Sequence, residues 1–213
     1  MSGKELTASM IGIGMVFSGK RKMNPNIEDT LLSASYEGME RHDLRVLSVL
    51  VAWLEEHYQT INADRLIRIV SESTPRVKAF WSSMAKSLKK DRRFARLQKG
   101  YRGKRLDVLS TGTSFQIKRN GEDPRFKDTL LRVPKNILRK RKSDILSQSE
   151  LVKQHRSYRY RILVGPSYRA DMFAELENEP TLSTSELARR AYGSFATAWQ
   201  VKNDWKLLNA VAV

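Results

Sequence analysis

"LSTSELARRAYGSFATAWQVKNDWKLL", Leu182 to Leu208, reads as two helices joined by a tight turn at Gly193. Ser183 stands where an N-cap hydroxyl can accept from free N–H groups, and Glu186, three residues on, completes a capping box. The second helix is predicted to start near Ser194 and run to the C-terminus. At about 100° per residue, Phe195, Ala198, Val201, Trp205 and Leu208 gather on one side as a core stripe. Ala196, Gln200 and Asn203 project from the opposite side, with Thr197 and Trp199 at its borders and Lys202 and Lys206 along another edge. Two readings fit: a helical hairpin that closes a core, or a helix-turn-helix whose second helix enters the DNA major groove.

The outward residues favour the second. Small side chains alternating with Gln and Asn let a helix approach base edges, and both amides pair with adenine in the major groove. A helix that only faced solvent would more typically carry Glu–Lys pairs. Ser194, Thr197, Gln200 and Asn203 are therefore the candidates for base readout. The first N–H groups of that helix suit a phosphate, and Arg189, Arg190 and Lys202 are candidates for holding the DNA backbone.

Working outward, "YRADMFAELEN" from Tyr168 supplies a preceding helix, and an earlier block has a similar order. From Ile27 to Tyr58, Leu44, Leu47, Val51 and Leu54 fall at helical spacings, with Leu50 and Trp53 widening the face and Gly38 dividing two helices. Asn62 caps a helix from Ala63 to Ser71 with Leu66, Ile67 and Val70 inward. Thr74 and Pro75 then start a third helix, Pro sitting at N1 where its missing N–H costs nothing. Val77, Phe80, Trp81, Met84 and Leu88 form its buried stripe. "RFARLQKGYRGKRLDVL" alternates loosely around Gly100 and Gly103, as a hairpin does. Three helices followed by a basic hairpin is the order of a winged helix, so the two blocks are expected to be related units, each with a Trp on its third helix.

Ser110 to Val164 reads as strand and irregular structure. "TSFQIKR" is predicted as a strand ended by the Asn120-Gly121 turn. "SQSE", Ser147 to Glu150, is a capping box before a short helix. "YRYRILVG" alternates Tyr158, Tyr160, Ile162 and Val164 against arginines, the pattern of a half-buried strand. Such a strand suits phosphate contact with base stacking, or simply arginines lined over a core. Residues 1–26 are expected as a flexible arm, 27–109 as an N-terminal winged-helix-like domain, 110–167 as a basic β-containing centre and 168–213 as a C-terminal helix-turn-helix. The expected class is mainly α with smaller β content.

Charge points to the partner. The chain has 39 Lys/Arg against 23 Asp/Glu, a net +16 over 213 residues. Between Arg76 and Arg161 the balance is 26 to 7, so the excess lies wholly in the middle. A dense positive field on a folded protein calls for a polyanion, most often nucleic acid, because neutralising phosphates releases counterions. The steepest run, Lys86 to Arg105, has ten Lys/Arg and one acid, with Phe94 and Tyr101 interleaved. Arg76, Lys78, Lys86, Lys89, Lys90, Arg92, Arg93, Arg96, Lys99, Arg102, Lys104 and Arg105 are accordingly the expected contacts to the DNA backbone.

Several chemistries are argued against. No cysteine is present, which removes disulfides, thiolate nucleophiles and Cys-ligated zinc and suits a cytoplasmic protein. No apolar run approaches the ~20 residues that span a bilayer, and residues 1–23 lack a convincing signal-peptide cleavage site. "GMVFSGKR", Gly14 to Arg21, fits G-x-x-x-x-G-K but places Arg21 where a P-loop needs Ser or Thr. His42, His57 and His155 share no metal-like spacing, and the carboxylates of the basic middle form no recognisable cluster for a nuclease metal. No catalytic residue, metal or cofactor is therefore expected.

At "STSELARRAYGSFATAWQVKNDW" and "PRVKAFWSSMAKSLKKDRRFARL" the chain resembles helix-turn-helix proteins of bacterial mobile elements. Its organisation is most similar to winged-helix antitoxins of nucleotidyltransferase toxin–antitoxin (abortive-infection) systems. The resemblance implies a role in phage defence, autoregulatory promoter binding without catalysis, and readout from Ser194, Thr197, Gln200 and Asn203. The expectation is thus a sequence-specific double-stranded DNA-binding protein, a transcriptional regulator or antitoxin-type autorepressor, partnered by a cognate toxin or by a second copy. Two alternatives stay open: an RNA-binding protein using the Tyr158–Arg161 segment, and a toxin-neutralising interaction partner.

Overall fold

The computed structural model describes residues 3–88 and 91–210; Lys89 and Lys90, expected on the DNA backbone, lie outside the described residues. Internal contacts divide the chain into two units, Met1–Gln148 and Ser149–Val213. The first has 30 Lys/Arg against 16 Asp/Glu and the second 9 against 7, so nearly all the net charge belongs to the first. The fold is mainly α with small β content.

In the first unit, α1 (Gly3–Gly12), α2 (Ile27–Glu40), α3 (Leu44–His57), α4 (Ala63–Ser71) and α5 (Pro75–Ser87) form the helical body. Polar caps set where each of the last four begins. Asn26, Asp43, Asn62 and Thr74 accept from backbone N–H groups at the starts of α2, α3, α4 and α5, and Pro75 occupies N1. Gly38 does not divide helices as expected; it lies inside α2, where a Cβ would stand 2.8 Å from the Leu47 Cβ. Its role is close approach of α2 to α3, and the break falls instead at His42, which has φ 57°.

The expected flexible arm contains helix α1 and packs into the core. Leu6, Met10, Ile13 and Met15 are buried, and the Trp53 indole donates to the Ile13 carbonyl at 2.7 Å. An apolar i, i+4 pair in α1 outweighs the local glycine and lysine content once α3 provides a surface. In α5, Val77 and Ala79 to Ala85 are all buried. Trp81 donates its indole N–H to Ser35 Oγ at 3.1 Å. A helix buried around most of its circumference acts as a strut and leaves little face for a DNA groove.

No wing follows it. Arg92–Phe94 is a 3₁₀ turn capped by Asp91, continued by α6 (Ala95–Gln98). Phe94 and Leu97, three apart, are both buried, so the apolar spacing here is helical rather than alternating. Beyond it, β1 (Leu106–Asp107) pairs in parallel with β2 (Leu131–Arg132), while α7 (Thr113–Asn120) lies between them in sequence. "TSFQIKR" is therefore helix, not strand. Gly121, at φ 82°, ends that helix with its N–H on the Ile117 carbonyl; the positive φ that Asn-Gly offers a hairpin serves a helix stop equally well.

The second unit comprises α8 (Gln148–Gln154, its first residue assigned to the first unit), α9 (Arg156–Val164), α10 (Tyr168–Asn178), α11 (Thr184–Arg190) and α12 (Phe195–Ala210). Its core is Met172, Phe173, Leu176, Leu182, Leu187, Ala188, Ala191, Ala198 and Val201, with Tyr160 and Trp205 packed against it. "YRYRILVG" forms helix α9 instead of the expected strand. His155 Nδ1 caps it by accepting from the Tyr158 N–H, and Tyr158 and Arg161, one helical turn apart, are both buried. Arg161 makes a bidentate pair with Asp171 of α10, at 2.9 and 2.8 Å. Tyr160 stacks on Phe173 at 5.8 Å between centroids. In the Tyr/Arg segment considered for single-stranded RNA, Tyr158 and Arg161 are thus interior, while Arg159 and Tyr160 stay half-buried.

Candidate nucleic-acid interface

The helix pair quoted at the outset is built largely as its sequence implies. Ser183 Oγ accepts from the Glu186 N–H at 3.1 Å and starts α11. A four-residue turn, Ala191 to Ser194, joins α11 to α12, the length found in helix-turn-helix motifs. Tyr192 takes φ 57° in that turn, and the Gly193 Cα packs so closely on α10 that a Cβ would strike Met172 and Tyr168. Ser194 Oγ accepts from the Thr197 N–H at 3.1 Å and shares a 2.8 Å hydrogen bond with the Thr197 hydroxyl, so both side chains are occupied in capping α12.

The four readout candidates fall at different depths. Ser194 and Gln200 are exposed, while Thr197 and Asn203 are half-buried. Ala196 is exposed between them, and from Phe195 to Gln200 the helix carries no charged residue. The core stripe is shorter than the wheel suggested. Ala198 and Val201 are buried and Trp205 half-buried, but Phe195 and Leu208 at its ends are 58% and 63% exposed. Trp199 is 57% exposed and Tyr192 43%, so the outward face is more aromatic than the sequence reading allowed. The packing of α12 through Ala198, Val201 and Trp205 explains this: Phe195 and Leu208, a turn outside that stretch at either end, pass beyond the core.

The arginines meant to clamp the DNA backbone here are already engaged. Arg189 and Arg190 both bind the Glu186 carboxylate, and Arg190 also reaches Glu179 at 2.8 Å and Glu175 at 3.7 Å. Hydrogen bonds from Arg189 and Arg190 pull the Glu186 carboxyl down to about 2. Three carboxylates around two guanidiniums leave this end of α11 without surplus positive charge. The Lys202 ammonium donates to the Leu182 carbonyl and ties α12 to the start of α11.

A similar sorting applies to the first unit. Arg76 donates to the carbonyls of Met39, Asp107 and Val108; Arg93 holds Asp91 and the carbonyls of Gln59 and Ile61. Arg105 binds Glu122 and the Phe126 and Leu131 carbonyls, and Lys86 donates to the Asp128 carbonyl. These side chains stitch the basic region onto the helical body. Arg92, Arg96, Lys99, Arg102 and Lys104 are exposed, their side-chain cations without a hydrogen-bond or ion-pair partner among the described residues, and Lys78 is half-buried. They form the part of the expected phosphate-contacting set whose charge is still uncommitted.

Two buried ion pairs were not legible beforehand. Besides Arg161 with Asp171, Arg65 is 2% exposed and donates to Asp29 at 2.6 Å and to Asn26 at 3.3 Å, next to the fully buried Glu28. Glu28 accepts from the Asn62 N–H, so this network locks the starts of α2 and α4 together. Such partners lie 36 residues apart, beyond any local pattern. Among the described residues no group of three or more His, Asp or Glu is placed to hold a metal ion, and no helix is long and apolar enough to cross a membrane. The chain matches no known protein family, no curated protein and no solved structure.

Proposed function

We propose that the chain is a sequence-specific double-stranded DNA-binding protein, a cytoplasmic transcriptional regulator of the autorepressor kind, with α12 as its reading helix. One observation carries this: a capped helix follows a four-residue turn and presents an uncovered, uncharged N-terminal face made of Ser194, Ala196 and Gln200. N-terminal residues of the second helix are those that reach base edges in a helix-turn-helix. Gln suits the adenine N6/N7 edge and Ala the thymine methyl, while Phe195 to Gln200 includes no Arg or Lys for the bidentate contact to guanine. The bound site should therefore be rich in A·T pairs where α12 contacts it. The uncommitted cations Arg92, Arg96, Lys99, Arg102 and Lys104 supply salt-sensitive affinity without choice.

Selection of bound fragments from random duplex DNA tests the assignment. An A·T-containing motif should emerge, and Gln200→Ala should lose about 1–3 kcal/mol of discrimination at one position. Arg96→Ala and Lys99→Ala should weaken all sequences alike. Failure of any motif to enrich, or equal loss on specific and random DNA for Gln200→Ala, would refute α12 as the reader.

The exposed Tyr192, Phe195 and Trp199 favour a second reading, in which this aromatic surface is a protein interface with a second copy or a cognate toxin. Sedimentation of the wild type and Trp199→Glu decides the self-association case. A dimer that dissociates in the variant supports it, and a monomer in both rejects it.

A further inference from the structure

Arg125 in the first unit is a fixed post. It is bidentate to Asp123, at 2.9 and 2.5 Å, and donates to the Leu138 carbonyl at 2.7 Å and to Glu55 at 3.5 Å. Lys140 covers the other Glu55 oxygen at 2.6 Å. Both carboxylates beside the post are therefore neutralised. On either side of it open clefts of about 490 and 510 Å³, which share Pro124 and Arg125 as a common wall. A third, of about 290 Å³, shares Arg139 and Arg141 with the second. The three form one trough.

Lys127, Lys135, Arg139 and Arg141 line this trough and are exposed, and their side-chain cations have no hydrogen-bond or ion-pair partner among the described residues. Against these four stands Asp144 at the far end, in the third cleft. No aromatic side chain lines any of the three clefts, so nothing there can stack on a base. Guanidinium forks and ammonium groups spread along an extended trough match a chain of phosphates rather than one compact anion.

We propose that this trough is a second DNA contact, a phosphate track that holds the sugar–phosphate backbone through Lys127, Lys135, Arg139 and Arg141 and reads no bases. It rests on the assignment of the chain as a DNA-binding protein. It adds a site apart from the segment Arg92 to Lys104 and from α12.

The test is fluorescence anisotropy of the full chain with a random-sequence duplex across a salt series. Each lost phosphate contact lowers the slope of log affinity against log salt by about 0.9, so Arg139→Ala/Arg141→Ala should lower it by about 1.8. Affinity should fall equally on random and selected sequences, with the melting temperature unchanged. Arg139→Lys/Arg141→Lys should keep the slope. Lys118→Ala/Arg119→Ala, which removes two exposed cations of α7 outside the trough, is the control. An unchanged slope in the trough variant, an equal drop in the control, or a loss confined to the selected sequence overturns the track. If the wild type binds no duplex at low salt, the DNA assignment itself fails. In that case, trough-dependent binding of inorganic polyphosphate would identify a different phosphate polymer as the occupant and overturn the commitment to DNA.

Discussion

Helices α5 and α12 begin alike and end differently. Each follows a hydroxyl cap, Thr74 or Ser194, and each carries a tryptophan within its first turns. In α5, Trp81 is 1% exposed and hydrogen-bonded to Ser35; in α12, Trp199 is 57% exposed. The likeness that suggested two related reading units comes from caps and apolar spacing, which every helix needs. What separates the two is how many elements surround them. In α5, Val77 and every residue from Ala79 to Ala85 are buried, while α12 meets its unit's core through Ala198, Val201 and Trp205. Only the second has a face to offer.

Substitution at the two tryptophans should break this comparison most sharply. Trp81→Ala should cost about 3–5 kcal/mol, and Trp199→Ala should stay within about 0.5 kcal/mol, both read from urea unfolding midpoints. Equal costs would mean that α12 is covered. Next come the glycines. Gly38→Ala would press a methyl against Leu47 Cβ and Cα and should cost about 1–3 kcal/mol. Gly193→Ala meets first the flexible end of Met172 and should cost less in the same urea unfolding series. The caps are smaller still. Thr74→Ala and Ser194→Ala should each lose about 1 kcal/mol, but only Ser194→Ala should also change DNA affinity.

The smallest expected effect separates the units by pH. Burial lowers the pKa of His57 from its ordinary value of 6.5, against the raising influence of its hydrogen bond to the Leu146 carbonyl. The folded chain therefore takes up that proton after the unfolded chain does. Its contribution is complete above pH 6.5 and is lost as pH falls through the lowered value. His57→Gln should flatten the fall in stability of the first unit below about pH 6.5; an unaltered slope would remove His57 as its source. In the second unit the Glu186 carboxylate behaves as a depressed acid. Its contribution is present above about 4.5 and lost as pH falls toward about 2, and salt screens it because the group is exposed.

Local chemistry was the legible part of this chain. Asn62, Thr74 with Pro75, Ser183 and the turn at Gly193 are each set by residues within four positions, and the structure forms all of them. The outward placement of Gln200 and Ala196 could likewise be read from a wheel. Segments of seven or eight residues were not decidable. "TSFQIKR" and "YRYRILVG" alternate well enough for strands, yet Tyr158 and Arg161 are one helical turn apart and are buried together. The decision came from Asp171, which lies on another helix and satisfies the buried guanidinium. The basic residues were hardest to sort. Arg76, Arg93 and Arg105 look the same in sequence as Arg92, Arg96 and Arg102, but the first three spend their donors on carbonyls brought from distant segments. Counting charges located the region and could not say which of them were still uncommitted.

The hydrogen bond between His57 and the Leu146 carbonyl closes a loop of 89 residues, and the one from Trp53 to Ile13 closes 40. In the second unit the corresponding ties are short: Arg161 reaches Asp171 ten residues on, and Arg169 reaches Asp204 at 35. Because distant pairings pay loop-closure entropy before any contact rewards it, the second unit should fold first and the first unit last. Each unit carries two tryptophans, Trp53 and Trp81 in one, Trp199 and Trp205 in the other. Refolding followed by fluorescence should thus show a fast phase lost on changing Trp199 and Trp205 to Phe and a slow phase lost with Trp53 and Trp81. During synthesis, the same geometry keeps the charge-rich half of the chain open until Leu146 has emerged and can return to α3.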